Sequence, residues 1–131
     1  MAEEVELIKR RLLAKLVSEK RRPKCETFED TPSLQPLSKC KAAVVDFWAP
    51  WCAPCRLVEP VLKRLEAEYG ERVGFARVNV DVHRGLAAEM AVMGVPTVVV
   101  LSRGREVDRI VGYTPTMYAR LKSTLERLLR G

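Results

Sequence analysis

The chain has 131 residues, enough for one domain and too few for a second core of ordinary size. With 47% hydrophobic and 31% charged residues it has the composition of a folded core, which excludes wholesale disorder. The net charge is +6, but 23 Lys and Arg are interleaved with 17 Asp and Glu along the whole length, so the basic balance reads as a solvated mixed-charge surface and not as a nucleic-acid or membrane patch.

Residues 4–20 read as a helix: Val5, Ile8, Leu12 and Leu16 recur at helical spacing, with Leu13 and Val17 on the flank, Leu7 outside the stripe and Lys9 intruding on it. Arg21-Arg22-Pro23 ends it, because proline cannot continue a helix. Residues 1–24 show no secretory leader, and Glu3, Glu4, Glu6 and Glu19 argue against a mitochondrial presequence. No apolar run approaches the roughly 20 residues that span a bilayer. The expected address is therefore the cytoplasm. Asn79 and Gln35 are the only side-chain amides against 15 Arg, a balance that fits a heat-adapted organism.

Residues 24–41 are punctuated by Thr31-Pro32 and Gln35-Pro36, and allow a short edge strand at 25–28 and a short helix at 33–40. Residues 43–48 are a compact apolar run of strand formers, broken by Ala49-Pro50-Trp51-Cys52. From 52 to 69 the period becomes helical, with Val58, Val61, Leu62, Leu65 and Tyr69 on one face, Pro60 as a kink and Gly70 as the stop. A second strand follows at 73–81, then a short helix at 83–92 ended by Gly94. A third strand at 97–101, a tight turn at Arg103-Gly104 and a return strand at 106–111 make a hairpin. Thr114-Pro115 opens a last helix that buries Met117, Leu121, Leu125 and Leu128. The order from residue 43 predicts an α/β fold: a right-handed parallel crossover, an antiparallel hairpin, and a mixed central sheet with helices on both faces.

The chemistry sits at Cys52-Ala53-Pro54-Cys55. Two cysteines at this spacing can close a small disulfide ring, and here they fall where a strand hands over to a helix. Unpaired N–H groups and the helix dipole favour an anion at that point, which can bring a thiol from about 8.5 toward 7 or below. Cys52 is thus the candidate nucleophile. Cys55, one turn further in, is expected to be more buried and to stay protonated until it resolves the mixed disulfide. Pro54 is tolerated in the first turn. Asp46 lies inside the apolar strand just before the motif. It is either a buried acid with a raised pKa, suited to take the Cys55 proton, or a residue on a solvated sheet face; the apolar neighbours Val44, Val45 and Phe47 favour the first. Zinc is not expected, since Cys25 and Cys40 do not form a second close pair and His83 is the only histidine.

The stretch Val45-Asp46-Phe47-Trp48-Ala49-Pro50-Trp51-Cys52-Ala53-Pro54-Cys55-Arg56 closely resembles the active-site segment of the thioredoxin family. Pro60, Asn79-Val80-Asp81, Gly94-Val95-Pro96-Thr97 and Gly112 match its kinking proline, central-strand end, cis-proline loop and last-hairpin glycine in the same order, over roughly residues 43–130. The resemblance implies a protein-disulfide reductase that cycles between a Cys52/Cys55 dithiol and disulfide, needs no other cofactor, acts on disulfide-containing proteins and is re-reduced by a thioredoxin reductase. It further implies Asp46 as the buried proton carrier and Arg77 where the family often has a lysine. Pro96 is implied to be cis, with Val95 offering backbone hydrogen bonds to an extended substrate. Trp51 is implied to be exposed beside the motif, together with Ala53, Pro54 and Gly112 on the substrate side, and Trp48 to be packed beneath.

This sequence carries Ala53-Pro54 where the family usually has Gly-Pro, a dipeptide that tunes redox potential. The retained proline suits a reductant; a disulfide isomerase or oxidase is the alternative within the same chemistry, and a non-catalytic thioredoxin-like binding module is the alternative outside it. Residues 1–24 have no counterpart in the family and read as a helical extension to a domain at 25–131. Its helix can dock on that domain, on a second copy or on an acidic partner, the first being the simplest expectation. Cys25 and Cys40 are also additional, and can pair or remain free.

Overall fold

A computed structural model describes residues 2–21 and 25–131. Helix α1 spans Ala2–Arg21 and is followed by strand β1 (Thr27–Phe28), a 3-10 turn at Gln35–Leu37 and strand β2 (Ala43–Trp48). Then come α2 (Cys55–Tyr69), β3 (Gly74–Asn79), α3 (Arg84–Glu89), β4 (Thr97–Ser102), β5 (Arg105–Val111) and α4 (Met117–Arg130). The strands form one five-stranded sheet in the order β1-β3-β2-β4-β5. β2 lies parallel to β3, β3 parallel to β1, and β4 antiparallel to both β2 and β5. A parallel neighbour needs a crossover, which α2 supplies. An antiparallel one needs only a tight turn, supplied by Arg103 and Gly104, both at positive φ as the strand twist demands.

The central strands are buried on both faces, which is why 43–48 and 97–101 read as near-continuous apolar runs. The pleat sends Val44 to one side, against Val58, Leu62 and Leu65 of α2 and Leu121 and Leu125 of α4. Val45 and Phe47 go to the other, against Ala87 of α3 and Leu37 of the 3-10 turn. Gly74 is required here: a Cβ would stand 2.7 Å from Leu37 Cδ2 and 3.2 Å from Cys40 Sγ. Cys25 and Cys40, open between pairing and free thiols in the sequence, form a disulfide with a Cα–Cα distance of 5.9 Å, which closes the 25–40 segment over this second core.

Several boundaries differ from the sequence expectation. α2 starts at Cys55 rather than Cys52, because residues 53 and 54 use their carbonyls on the first turn, accepting from Arg56 and Leu57 N–H. α3 stops at Glu89, and the stop is Ala91, not Gly94: Ala91 takes φ 54°, with Val92 N–H donating to Ala87 O and Ala91 N–H to Ala88 O, a Schellman closure built without glycine. α4 starts at Met117, after a turn in which Met117 N–H donates to Thr114 O, so Pro115 precedes the helix instead of opening it. The helix expected at 33–40 shrinks to the 3-10 turn. Val5, Leu7, Ile8, Leu12 and Leu13 of α1 are all exposed, so the expected docking of that stripe on its own domain is not found at these positions. The stop at Pro23 lies outside the described residues, and the side chains of Leu16 and Val17 lie outside the described side chains.

Candidate functional site

β2 runs out of the core at Trp48 and delivers the Ala49-Pro50-Trp51 loop directly to the cysteines. Cys52 and Cys55 are joined in a disulfide with a Cα–Cα distance of 5.4 Å. The Cys55 N–H, the first of helix α2, donates to Cys52 Sγ at 3.2 Å. Cys52 therefore stands just outside the helix N-terminus, where a thiolate freed by reduction meets an N–H that has no acceptor within the helix and the positive end of the dipole. Cys52 and Cys55 are buried to nearly the same degree, 4% and 3% exposed, so the expected greater burial of Cys55 is not seen in the bonded form. Ala53 and Pro54 are exposed on the rim of the ring.

Beside the ring, the Val95–Pro96 peptide is cis. Val95, Trp48 and Val80 pack against Ala49, Cys52 and Cys55. Gly112, at φ 82°, donates its N–H to Pro96 O at 2.8 Å and so ties the end of β5 to this loop. Trp51 is 71% exposed and its indole N–H donates to Asp81 Oδ2 at 3.0 Å. Trp51, Val80, Val92, Met93, Gly94 and Val95 line a cavity of about 170 Å³ next to the disulfide. Met93 stands almost fully in solvent. Sequence reasoning did not single out Met93, Val92 or the Asp81–Trp51 hydrogen bond; the only signal was an exposed apolar residue in a loop between a helix and a strand.

On the other side of the ring lies a cavity of about 210 Å³ bordered by Trp48, Cys52, Cys55, Arg56, Glu59 and Arg77 among others. Asp46 is fully buried on β2, on the α2 side of the sheet, which rules out the solvated-face reading. Its register partners are Arg77 on β3 and Val98 on β4. Burial raises its pKa from 3.8 to about 6 against the opposing charge of Arg77, with Glu59 adding to the rise. Arg77 Nε lies 3.6 Å from Asp46 Oδ2, and its guanidinium stacks over Trp48 with Cζ 4.6 Å from the ring centroid. Pro60 stands inside α2, one residue past Glu59. The structure thus brings Cys52, Cys55, Trp48 and Arg77 around one cavity, Asp46 into ion-pair contact with Arg77, and Val95, Pro96, Gly112 and Trp51 to the opposite flank.

A mixed sheet that presents a two-residue-spaced cysteine pair at the mouth of a helix, with a buried acid on the strand leading to it, defines a thiol–disulfide oxidoreductase. The Thioredoxin family profile matches residues 26–127, and the chain belongs to the thioredoxin family. It is 40% identical to the thioredoxin of Porphyra purpurea over 86 residues, covering 66% of this chain and 75% of that one. It is 41% identical to a Staphylococcus aureus thioredoxin over 80 residues, 60% of this chain and 77% of the relative. Among solved structures, a point mutant of the thioredoxin from Halobacterium salinarum superposes with a TM-score of 0.68 at 28% identity, covering 82% of this chain and 92% of its own. Oxidised mitochondrial thioredoxin 3 from Saccharomyces cerevisiae gives 0.65 at 26%, covering 76% and 94%. The fold is thioredoxin-like and the activity is that of a protein thiol–disulfide oxidoreductase working through a redox-active disulfide, Cys52–Cys55. Among the described residues, no helix is long and apolar enough to cross a membrane.

Proposed function

We propose that this chain works in the reducing direction, as a protein-disulfide reductase and electron carrier, with Cys52 as nucleophile, Cys55 as resolving thiol and Asp46 as proton acceptor. The observation that carries the assignment is the Cys55 N–H donating to Cys52 Sγ at the start of α2. That donor and the dipole behind it stabilise a Cys52 thiolate, while Cys55 sits inside the first turn. The Cys52 thiolate attacks one sulfur of a substrate disulfide, forming a mixed disulfide and releasing one substrate thiolate. The Cys55 proton passes to the Asp46 carboxylate, and the Cys55 thiolate attacks Cys52 Sγ. The second substrate thiolate leaves and takes up a proton, and the Cys52–Cys55 bond closes. Two electrons have passed to the substrate, and a thioredoxin reductase returns the pair to the dithiol.

The apolar groove lined by Trp51, Met93 and Val95 suits an extended, disulfide-bearing polypeptide, held through the Val95 backbone beside cis-Pro96. The exposed Ala53 and Pro54, and Gly112 through its bond to Pro96, are assigned to the same substrate side. Trp48, Pro60 and Arg77 support this centre from beneath. Such a reductant belongs in a reducing compartment, the cytoplasm, and the Arg-rich, amide-poor composition suits a thermophile. Residues 1–24 form a helical extension to a catalytic domain at 25–131, as the match beginning at residue 26 supports.

Turnover of a disulfide-bonded protein substrate with a thiol reductant tests the scheme. Cys52→Ser is expected to abolish turnover. Cys55→Ser is expected to accumulate a mixed disulfide on Cys52, visible by mass spectrometry. Retained activity in both variants would contradict the assignment.

A further inference from the structure

The Arg77 guanidinium is shared between two carboxylates and reaches hydrogen-bond distance of neither. Its Nε is 3.6 Å from Asp46 Oδ2 and its Nη1 is 3.7 Å from Glu59 Oε1, both beyond the 2.7–3.2 Å of an N–H···O bond. Both Asp46 oxygens and the Arg77 Nε are buried and make no hydrogen bond to another protein group. A small shift of the guanidinium toward Asp46 would bring this donor and acceptor into a direct, charge-assisted hydrogen bond. Among the described residues, the carboxylate within ion-pair distance that opposes that shift is Glu59, half-exposed on α2 at the rim of the cavity that also borders Cys52 and Cys55; Glu66, two turns further along α2, attracts Arg77 only at longer range. The charged groups acting on Asp46 are Arg77 from β3 and Glu59 from α2; its partner on β4, Val98, is apolar.

We propose that Glu59 is a positioning residue: it draws the Arg77 guanidinium toward the cavity rim and so keeps Arg77 from closing on Asp46, which leaves the buried carboxylate free to accept the Cys55 proton. The inference rests on the proton-acceptor role given to Asp46 above, but its geometry and its test do not need turnover. Lysine in place of Arg77 would hold a single point of charge; the planar fork of arginine can face two acids at once, which is what makes a second carboxylate effective here. Without Glu59 the guanidinium commits to Asp46 and stabilises its charged form, making it a weaker base.

The test is a carbon-13 NMR titration of the Asp46 side-chain carboxyl in the full-length oxidised protein, with the resonance assigned through Asp46→Asn. Glu59→Gln is expected to move its midpoint down by about one pH unit. Glu59→Asp, which keeps the charge, is expected to stay closer to wild type than Glu59→Gln does. In an Arg77→Met background, Glu59→Gln is expected to move the midpoint by less than half as much, because the intermediary is gone. A midpoint unmoved by Glu59→Gln, or moved equally in both backgrounds, overturns the proposal. The carboxyl titrates whether or not the chain reduces a substrate, so failure here is distinct from failure of the reductase reading, which the cysteine variants report.

Discussion

Asp46 is held in a place that an acid would not choose for stability. Its folded-state pKa of about 6 lies above its ordinary 3.8, so the folded protein binds this proton more tightly than the unfolded chain does. The associated stability is fully present below about pH 3.8 and is lost as the pH rises through about 6. Asp46→Asn should therefore stabilise the protein at pH 8 by up to about 3 kcal/mol, with the gain vanishing near pH 4; urea unfolding at the two pH values measures it. The same substitution should slow the resolving step by about 100-fold and remove its rise with pH around 6, read by stopped-flow decay of a preformed mixed disulfide. Stability and activity moving in opposite directions mark a residue retained for chemistry. Asp46 was legible as an acid inside an apolar run, and the cysteines by spacing and position. Glu59 was not, because a glutamate on the outward side of an amphipathic helix looks like any solvated residue until the fold brings Arg77 beneath it.

At the scale of elements, the strands and the two long helices follow from hydrophobic period, while the stops of shorter elements depend on contacts that sequence does not record. Ala91 closes α3 in a left-handed conformation that alanine disfavours, so Gly94 was the better-looking signal and the wrong one. The 25–40 segment has no period of its own; it is shaped by the Cys25–Cys40 bridge and by its fit over Gly74. Two outcomes follow from that fit. Gly74→Ala forces a Cβ into Leu37 and Cys40, and should cost about 1–3 kcal/mol in denaturant unfolding. Replacing both Cys25 and Cys40 by serine opens a 15-residue loop, and should cost about 3 kcal/mol under non-reducing conditions while the Cys52–Cys55 couple still cycles.

For the whole molecule, the sheet order and its two cores place one redox centre at the end of β2, with an apolar groove on one flank and a charged cavity on the other. The first helix stands apart from that logic: its described apolar side chains are exposed. A chain lacking residues 1–24 is expected to melt within about 2 °C of the full-length protein and to keep its reductase activity, as a calorimetric scan and an activity assay would record. The most direct test of the central claim is equilibration of the full-length protein in glutathione buffers of graded potential, with the Cys52–Cys55 peptide followed by alkylation and mass spectrometry. A two-electron transition with a midpoint near about −270 mV is the predicted result. A pair that never exchanges, or one that titrates between about −180 and −120 mV as an isomerase or oxidase would, contradicts it.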